Sequence, residues 1–205
     1  MSLSIGVVGI GLVLAHFFDI RKIKFGSKRI IIIGLFASIS LILYIIQFIK
    51  YPQGGGITLF SMMPIMILGM IYGRREAITC GVLFGVMKLL NGGMIINPAQ
   101  FLLDYILPCM ALGLSGIFGW DKKWKVFLGC MFVGLLGTLL STVSGVLYFS
   151  QYAPVGMNPW IYSSIYNFSS AGVETLLTSV IMMFVPLKML KERLGKDEQR
   201  RFKQA

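Results

Sequence analysis

Long apolar runs separated by short polar connectors make up most of this chain. A helix that spans a bilayer needs roughly 17 to 25 apolar residues. The runs that meet or approach this length are residues 30–49, 57–72, 77–90, 101–118, 126–149 and 160–187, preceded by a further run at 3–18. Because lipid offers the backbone no hydrogen-bond partners, each run is predicted to be an α-helix. The pattern predicts an all-α, polytopic membrane helical bundle with a six-helix core and an extra N-terminal transmembrane helix.

The composition agrees with a membrane protein. The chain is 56% hydrophobic and 13% charged, with a mean hydropathy of +0.80, whereas about a quarter of the residues of soluble domains are charged. The net charge of +11 would suggest nucleic acid as a partner in a soluble protein. Here we attribute the excess to cytoplasmic loops beside anionic lipid, so we predict a lipid bilayer and no nucleic acid as partner.

The basic residues predict which loops face the cytoplasm. All but two of the 19 Lys and Arg residues lie in four clusters, at residues 21–29, 74–75, 122–125 and 188–203. The positive-inside rule places these clusters, and with them the C-terminus, in the cytoplasm. The exceptions are Lys50 and Lys88. The alternatives for Lys88 are pairing with a carboxylate and snorkelling outward to the membrane surface, and we predict snorkelling.

The connectors on the other side differ in kind. Residues 51–56, 91–98 and 150–159 are rich in Gly, Pro, Asn and aromatic residues and poor in charge. They can be plain turns, but their shared side also suits a lidded pocket that opens outward. We divide the chain into an N-terminal helix with its basic loop (1–28), a substrate-binding membrane domain (29–190) and a basic tail (191–205).

Two carboxylates stand where charge is costly. Of the eight acidic residues, only Asp104 and Glu174 lie inside apolar runs, and such residues face protein or a cavity. Asp104 follows an outward loop and shares a helix face with Gln100, so we predict that it binds an external ligand. Glu174 lies further towards the cytoplasmic half, where we expect it not to meet an external ligand, and we predict either a buried, hydrogen-bonded structural acid or an interhelical contact.

Aromatic residues gather at the level of Asp104. They are Tyr105, Tyr148, Phe149, Tyr152, Trp160, Tyr162 and Tyr166. An interfacial aromatic belt would explain several of them without a ligand. A carboxylate beside aromatic faces is also what a flat organic cation requires, and we therefore hypothesise a small aromatic cation bound from outside.

The sequence shows no sign of catalytic chemistry. There is no phosphate-binding loop and no metal-ligand spacing; His16 is the sole histidine, and Cys80, Cys109 and Cys130 lie inside apolar runs. We predict that the protein is not an enzyme and holds neither cofactor nor metal.

Three ordered segments carry a family resemblance. They are residues 52–58 (PQGGGIT), 97–105 (NPAQFLLDY) and 144–167, which contains SGVLYF and NPWIYSSIYN. On these motifs the chain resembles the thiamine-specific substrate-binding (S) components of energy-coupling factor (ECF) vitamin transporters. The resemblance covers residues 29–190 and implies an outward-facing thiamine site, a bacterial plasma-membrane location, a transmembrane coupling subunit and two cytoplasmic ATPases.

The resemblance also implies roles for individual residues. The family's ligand acid falls on Asp104, its neighbouring tyrosine on Tyr105, a stacking aromatic on Phe149, and a later tyrosine and asparagine on Tyr162 and Asn167. Gln100 and Trp160 join this predicted ligand site from the residue patterns above. The coupling subunit would contact small residues spaced by four, here Gly34 and Ser38.

One departure from the family leaves the ligand open. Members commonly carry a ligand-contacting histidine where this chain has Ser141. Thiamine is therefore the predicted ligand, and a thiamine precursor or another small vitamin is the alternative. A third alternative is a membrane scaffold protein, in which small and polar residues only hold helices together. Small residues also recur within the apolar runs, and we predict close helix packing for all of them: Gly81 with Gly85, Gly129 with Gly134 and Gly137, and Gly34 with Ser38.

Overall fold

The computed structural model describes residues 2–21, 26–52 and 55–202. The fold is a bundle of apolar helices, as predicted. The helices are α1 (Ser2–Arg21), α2 (Ser27–Ile45), α3 (Met63–Ile71), α4 (Arg74–Leu90), α5 (Pro98–Phe101), α6 (Leu107–Leu112), α7 (Lys123–Tyr148), α8 (Pro159–Asn167), α9 (Val173–Met182) and α10 (Leu187–Phe202). The largest fully buried side chains include Phe84, Ile65, Met66 and Leu68.

A β-hairpin replaces part of two predicted helices. Strand β1 (Gln47–Lys50) pairs antiparallel with β2 (Gly56–Thr58), so the predicted helices at 30–49 and 57–72 are wrong at these ends. The helix that follows β2 is α3, with only nine residues. Pro52 and the glycines before Ile57 favour a turn, and the two strands satisfy much of each other's backbone hydrogen bonding.

Two further predicted helices are broken. A π-helical turn, Leu102–Ile106, joins α5 to α6, and α6 ends at Leu112 rather than continuing to residue 118. A second π turn, Phe168–Gly172, joins α8 to α9. The predicted run 160–187 then bends by 73° before α10, where Pro186 cannot continue a helix.

Within the described residues, two helices are individually long and apolar enough to cross a membrane. They are α2 and α7, and the bent pair of Pro159–Met182 with Leu187–Leu194 becomes a third if it is one span. The Pro98–Leu112 segment is apolar but shorter. Several predicted spans are therefore built from shorter pieces, because the hairpin and the irregular turns interrupt them.

The predicted basic clusters share one end of the bundle. Arg29 pairs with Glu76 at 2.8 Å, and Arg75 pairs with Asp19 at 2.7 Å. Lys191 lies over the ring of Trp120, which brings the tail to the same end. Lys22 and Lys24 lie outside the described residues. The hairpin follows the C-terminal end of α2 and therefore lies at the opposite end.

Close helix packing explains most of the glycine pairs, as predicted. A Cβ added at Gly81 or Gly85 of α4 would overlap the carbonyl oxygen of Cys109 or Tyr105. Gly34 is different, because a Cβ there meets nothing within 4 Å, and Ser38 is exposed on the same face of α2. Packing within the chain is thus the wrong explanation for Gly34 and Ser38.

This contrast predicts the effect of one methyl group. We expect Gly81→Ala to destabilise the protein by about 1–3 kcal/mol, because the new Cβ forces α4 away from α6. Thermal unfolding in detergent measures the loss. Gly34→Ala is the matched control and should leave the unfolding temperature unchanged; an equal loss in both variants would contradict the close approach of α4 and α6.

The N-terminal helix α1 packs against α4, α5 and the first π turn. Gly9 lies against Leu102 and Leu107, and His16 Nε2 lies 3.1 Å from Thr79 Oγ1. Arg75 of α4 donates two hydrogen bonds to the carboxylate of Asp19, at 2.7 and 2.8 Å. The extra helix α1 therefore packs against the two elements that carry Lys88 and Asp104, which are α4 and the first π turn.

Candidate ligand-binding site

A cavity of about 150 Å³ opens at the hairpin end of the bundle. It lies between the hairpin, the C-terminal ends of α2 and α4, the C-terminal half of α7 and the segment from α8 to α9. Its lining comprises Tyr44, Gln47, Gly55, Gly56, Thr58, Ser61, Met62, Lys88, Ser141, Tyr166, Asn167, Ser170, Ala171 and Glu174.

Glu174 is held by the hairpin side of the cavity. Its side chain is 2% exposed. Thr58 donates from its backbone N–H to Oε2 at 2.9 Å and from its hydroxyl to Oε1 at 2.5 Å. Ser61 donates to Oε1 from its N–H at 3.1 Å and its hydroxyl at 3.2 Å. Four donors stabilise a buried carboxylate, which confirms the predicted hydrogen-bonded acid. Glu174 also lines the cavity, and the prediction that it does not meet an external ligand stays a prediction.

Lys88 faces inward, so the prediction that it snorkels to the membrane surface is wrong. Its ammonium lies 4.9 Å from the ring centroid of Tyr44, 5.7 Å from Phe84 and 6.0 Å from Tyr105. Gly85, one turn earlier on α4, permits the close approach to the backbone of Tyr105. The three rings stabilise a positive charge at this position by cation–π attraction.

Asp104 lies next to this aromatic group, within the first π turn. It is half-buried, and Gln100 donates a hydrogen bond from Nε2 to its Oδ2 at 2.6 Å. Gln100 is 1% exposed and its Oε1 also accepts from the N–H of Ile96 at 3.2 Å. Asp104 is outside the lining of the cavity described above; Lys88 is close enough to attract both Asp104 and Glu174 electrostatically.

Tyr105 is fixed from two directions. Its hydroxyl accepts a hydrogen bond from the N–H of Met94 at 3.1 Å, and its ring stacks on Phe101 with centroids 6.0 Å apart. The predicted outward loop at 91–98 thus packs over the helix that carries Asp104. π-helical turns often mark functional sites, and this one sets the positions of Asp104 and Tyr105.

Asn167 and Ser141 are brought together in the cavity wall. Asn167 Nδ2 donates to the carbonyl of Ser163 at 3.0 Å and lies 3.5 Å from the carbonyl of Ser141. Ser163 itself donates to the carbonyl of Thr142 at 2.7 Å, which ties α8 to α7. These contacts occupy the amide nitrogen of Asn167, whose side chain lines the cavity.

The remaining predicted residues lie around this group. Tyr162 is half-buried, with its ring 6.2 Å from that of Tyr166, and Phe149 stacks on Tyr152 with centroids 6.2 Å apart. Trp160 is 51% exposed at the start of α8, a position typical of interfacial aromatic residues. Roles in ligand binding for Tyr162, Phe149 and Trp160 stay predictions.

Sequence reasoning missed the contribution of the hairpin. Gly55 donates from its N–H to the hydroxyl of Tyr166 at 3.0 Å, and Tyr51 donates to the carbonyl of Ser169 at 3.2 Å. These contacts close the hairpin over the second π turn. The signal in the sequence is the glycine-rich connector after Pro52, which also fits a plain turn.

The arrangement is suited to binding. The lining of the cavity offers one carboxylate, one ammonium, two tyrosine rings and side-chain amides at one end of a helical membrane bundle, and the carboxylate of Asp104 lies beside it. No cluster of three or more potential metal ligands occurs among the described residues. The features define a small-molecule binding protein of the membrane.

Comparison with known proteins places the chain in a family. The family model described as thiamine transporter protein matches residues 30–193, and the chain belongs to this family. It is 29% identical over 186 residues to the thiamine transporter ThiT of Bacillus subtilis, covering 83% of this chain and 95% of that protein. It is 31% identical over 140 residues to the ThiT of Lacticaseibacillus paracasei, covering 60% and 69% respectively.

Two other matches are informative. The riboflavin transporter RibU of Streptococcus thermophilus is 29% identical over 194 residues, covering 89% of this chain and 87% of RibU. The solved structure of ThiT from Listeria monocytogenes has a TM-score of 0.68 at 23% identity and covers 80% of this chain and 96% of that one. The latter likeness establishes a shared fold. Helix α1 precedes the part of the chain that the family model matches.

Proposed function

We propose that this protein captures thiamine from outside the cell as the S component of an ECF transporter. The observation that carries the proposal is the Asp104 carboxylate, held by Gln100 and flanked by Tyr105, in a member of the thiamine transporter family. A carboxylate beside aromatic faces suits a flat organic cation. The protein itself contributes binding, and ATP hydrolysis belongs to its partners.

A titration of the purified protein tests the proposal. Thiamine should quench the intrinsic fluorescence at a stoichiometry of one, and should raise the unfolding temperature by mass action. Mass spectrometry of any small molecule that co-purifies identifies the ligand independently. If no small molecule shifts the unfolding temperature, the protein is better explained as a membrane scaffold.

A thiamine precursor is the second candidate ligand. Ser141 lies in the cavity wall, where the resemblance leads us to expect a histidine. Compared with histidine, the short serine side chain lacks a ring that could contact the ligand, and it leaves more space in the cavity. Competition of thiamine with its separate pyrimidine and thiazole halves distinguishes the candidates, because a precursor-specific site would bind one half as tightly as the whole.

The exposed face of α2 supports the proposed assembly with a transmembrane coupling subunit and two ATPases. Gly34 and Ser38 lie on this face without packing partners on their outer side, and small residues allow another helix to approach closely. In the proposed orientation the basic end and the C-terminus face the cytoplasm, and the cavity faces outward.

Bulky side chains on this face of α2 should reduce transport without changing the affinity for thiamine. We expect Gly34→Val together with Ser38→Val to leave thiamine affinity unchanged and to reduce ATP-driven uptake by at least about tenfold, since a Cβ branch prevents close helix contact. Uptake of labelled thiamine by cells with the full transporter measures the effect. Unimpaired uptake would remove this face from the proposed contact.

A further inference from the structure

The N-terminal helix α1 buries one narrow face. Gly6, Gly9, Val13 and His16 are buried or half-buried and follow one another at steps of three or four residues, so they share one side of the helix. Most of the large apolar side chains on its other sides are exposed. The buried face therefore marks where the rest of the chain holds α1.

The first half of this face lies on the first π turn. An added Cβ at Gly9 would lie 3.1 Å from Leu102 Cδ1 and 3.3 Å from Leu107 Cδ1. These two residues close the π turn, because the N–H of Leu107 donates to the carbonyl of Leu102, five residues earlier. An added Cβ at Gly6 would lie 3.5 Å from the Cβ of Ala99, in the helix before the turn. Helix α1 therefore contacts the chain before the π turn and at both of its ends.

The second half of the face is anchored to α4. His16 Nε2 lies 3.1 Å from Thr79 Oγ1, and Arg75 donates two hydrogen bonds to the carboxylate of Asp19, at 2.7 and 2.8 Å. A two-point ion pair of this kind fixes orientation as well as distance. The anchor thus sets the position of α1 along its own axis, and with it which residues of α1 meet the π turn.

The register of the π turn decides where Asp104 and Tyr105 point. A π turn closes its hydrogen bond one residue later than an α-helical turn, and each residue of an α-helix advances by about 100° around the axis. Relaxation to an α-helix would therefore turn the two sides of this segment relative to each other by roughly that angle. The π form is rare, so contacts from outside the turn must favour it over the α-helix.

We propose that α1 is a positioning element of the ligand site, and that Gly9 is the residue through which it holds the first π turn and the orientation of Asp104. No residue of α1 belongs to the described lining of the cavity, so α1 acts through the turn and not by touching the ligand. Helix α1 precedes residues 30–193, which the family model matches, so this support lies outside the matched region. The inference rests on the proposed role of Asp104 in thiamine capture.

A side chain at position 9 tests the inference. Gly9→Val should weaken thiamine affinity by at least about tenfold, because the branched side chain pushes α1 away from Leu102 and Leu107. Gly11→Val is the matched control. It makes the same change in the same helix, but a Cβ at Gly11 meets nothing within 4 Å, and thiamine affinity should stay unchanged. Isothermal titration in detergent, well below the unfolding temperature, measures both variants.

A double-mutant cycle with Asp104→Asn separates positioning from a general loss of stability. If Gly9→Val acts through Asp104, its effect on thiamine affinity should fall to less than about twofold in the Asp104→Asn background, since the displaced charge is already gone. A general loosening of the bundle would instead lower the affinity by the same factor in both backgrounds. Thermal unfolding checks that each variant is folded at the temperature of the titration.

Each outcome decides the inference. Wild-type affinity in Gly9→Val, or an equal loss in Gly9→Val and Gly11→Val, would overturn it. An equal factor in both Asp104 backgrounds would assign α1 a structural role alone and would overturn it too, while the proposed function would stand. If Gly9→Val does not fold, Gly9→Ala places a single methyl group against Leu102 and should show a smaller loss with the same dependence on Asp104. A wild-type protein that binds no thiamine would overturn both proposals.

Discussion

Asp104→Asn should weaken thiamine binding by at least about a hundredfold, which corresponds to about 2.7 kcal/mol. The substitution keeps the size of the side chain but removes the charge that pairs with the organic cation. Losing one partner of a desolvated charge pair typically costs about 2–5 kcal/mol. Isothermal titration of the purified protein in detergent measures the change in affinity.

The control for this variant is Asp121→Asn. Asp121 lies in an exposed loop at the basic end, where a hydrogen bond from Lys125 holds the pKa of its carboxyl below the usual range. Removing this acid should leave thiamine affinity unchanged. Wild-type affinity in Asp104→Asn would exclude Asp104 from the ligand site and leave the group around Glu174 as the better candidate.

Glu174→Ala should destabilise the protein by about 3–5 kcal/mol, because the buried donors of Thr58 and Ser61 lose their shared acceptor. The unfolding temperature should fall by roughly 10 °C for a chain of this size. Thiamine binding should weaken as well, since the hairpin that closes the cavity loses its attachment to α9. Thermal unfolding and titration of the same preparation measure both effects.

Two variants sharpen this second test. Glu174→Gln keeps one acceptor oxygen and should lose less stability than Glu174→Ala. Glu192→Ala removes an exposed acid of α10 and should have no effect on either measurement. A Glu174→Ala protein with normal stability would mean that other groups or water satisfy Thr58 and Ser61.

The helical class of the fold followed from the apolar runs, because a membrane leaves few ways to satisfy the backbone. The hairpin did not follow, since Gln47 is the only polar residue that separates the end of α2 from the apolar residues of β1. Nothing in the local sequence at Gln47 separates a strand from a helix continuing to Ile49. The decisive contacts come from Tyr166, Ser169 and Glu174, which are more than a hundred residues away.

The sequence predicted those residues of the candidate site that carry a charge inside an apolar helix. Asp104 and Glu174 stood out because charge is expensive in an apolar helix, and both lie in interior hydrogen-bond networks. Lys88 is equally costly there, but a long side chain near a helix end can reach either the surface or the interior. Sequence alone could not choose, because the choice depends on how closely Gly85 lets α4 approach Tyr105.

The hydrogen bonds that join Thr58 to Glu174 bridge 116 positions of the chain. During synthesis, the early hairpin must therefore wait until most of the polypeptide has left the ribosome before it acquires its lasting contacts. Contacts of such long sequence separation are slow to form. Thiamine capture should consequently appear only once the whole core has been inserted, and nascent chains truncated before Tyr166 should bind none.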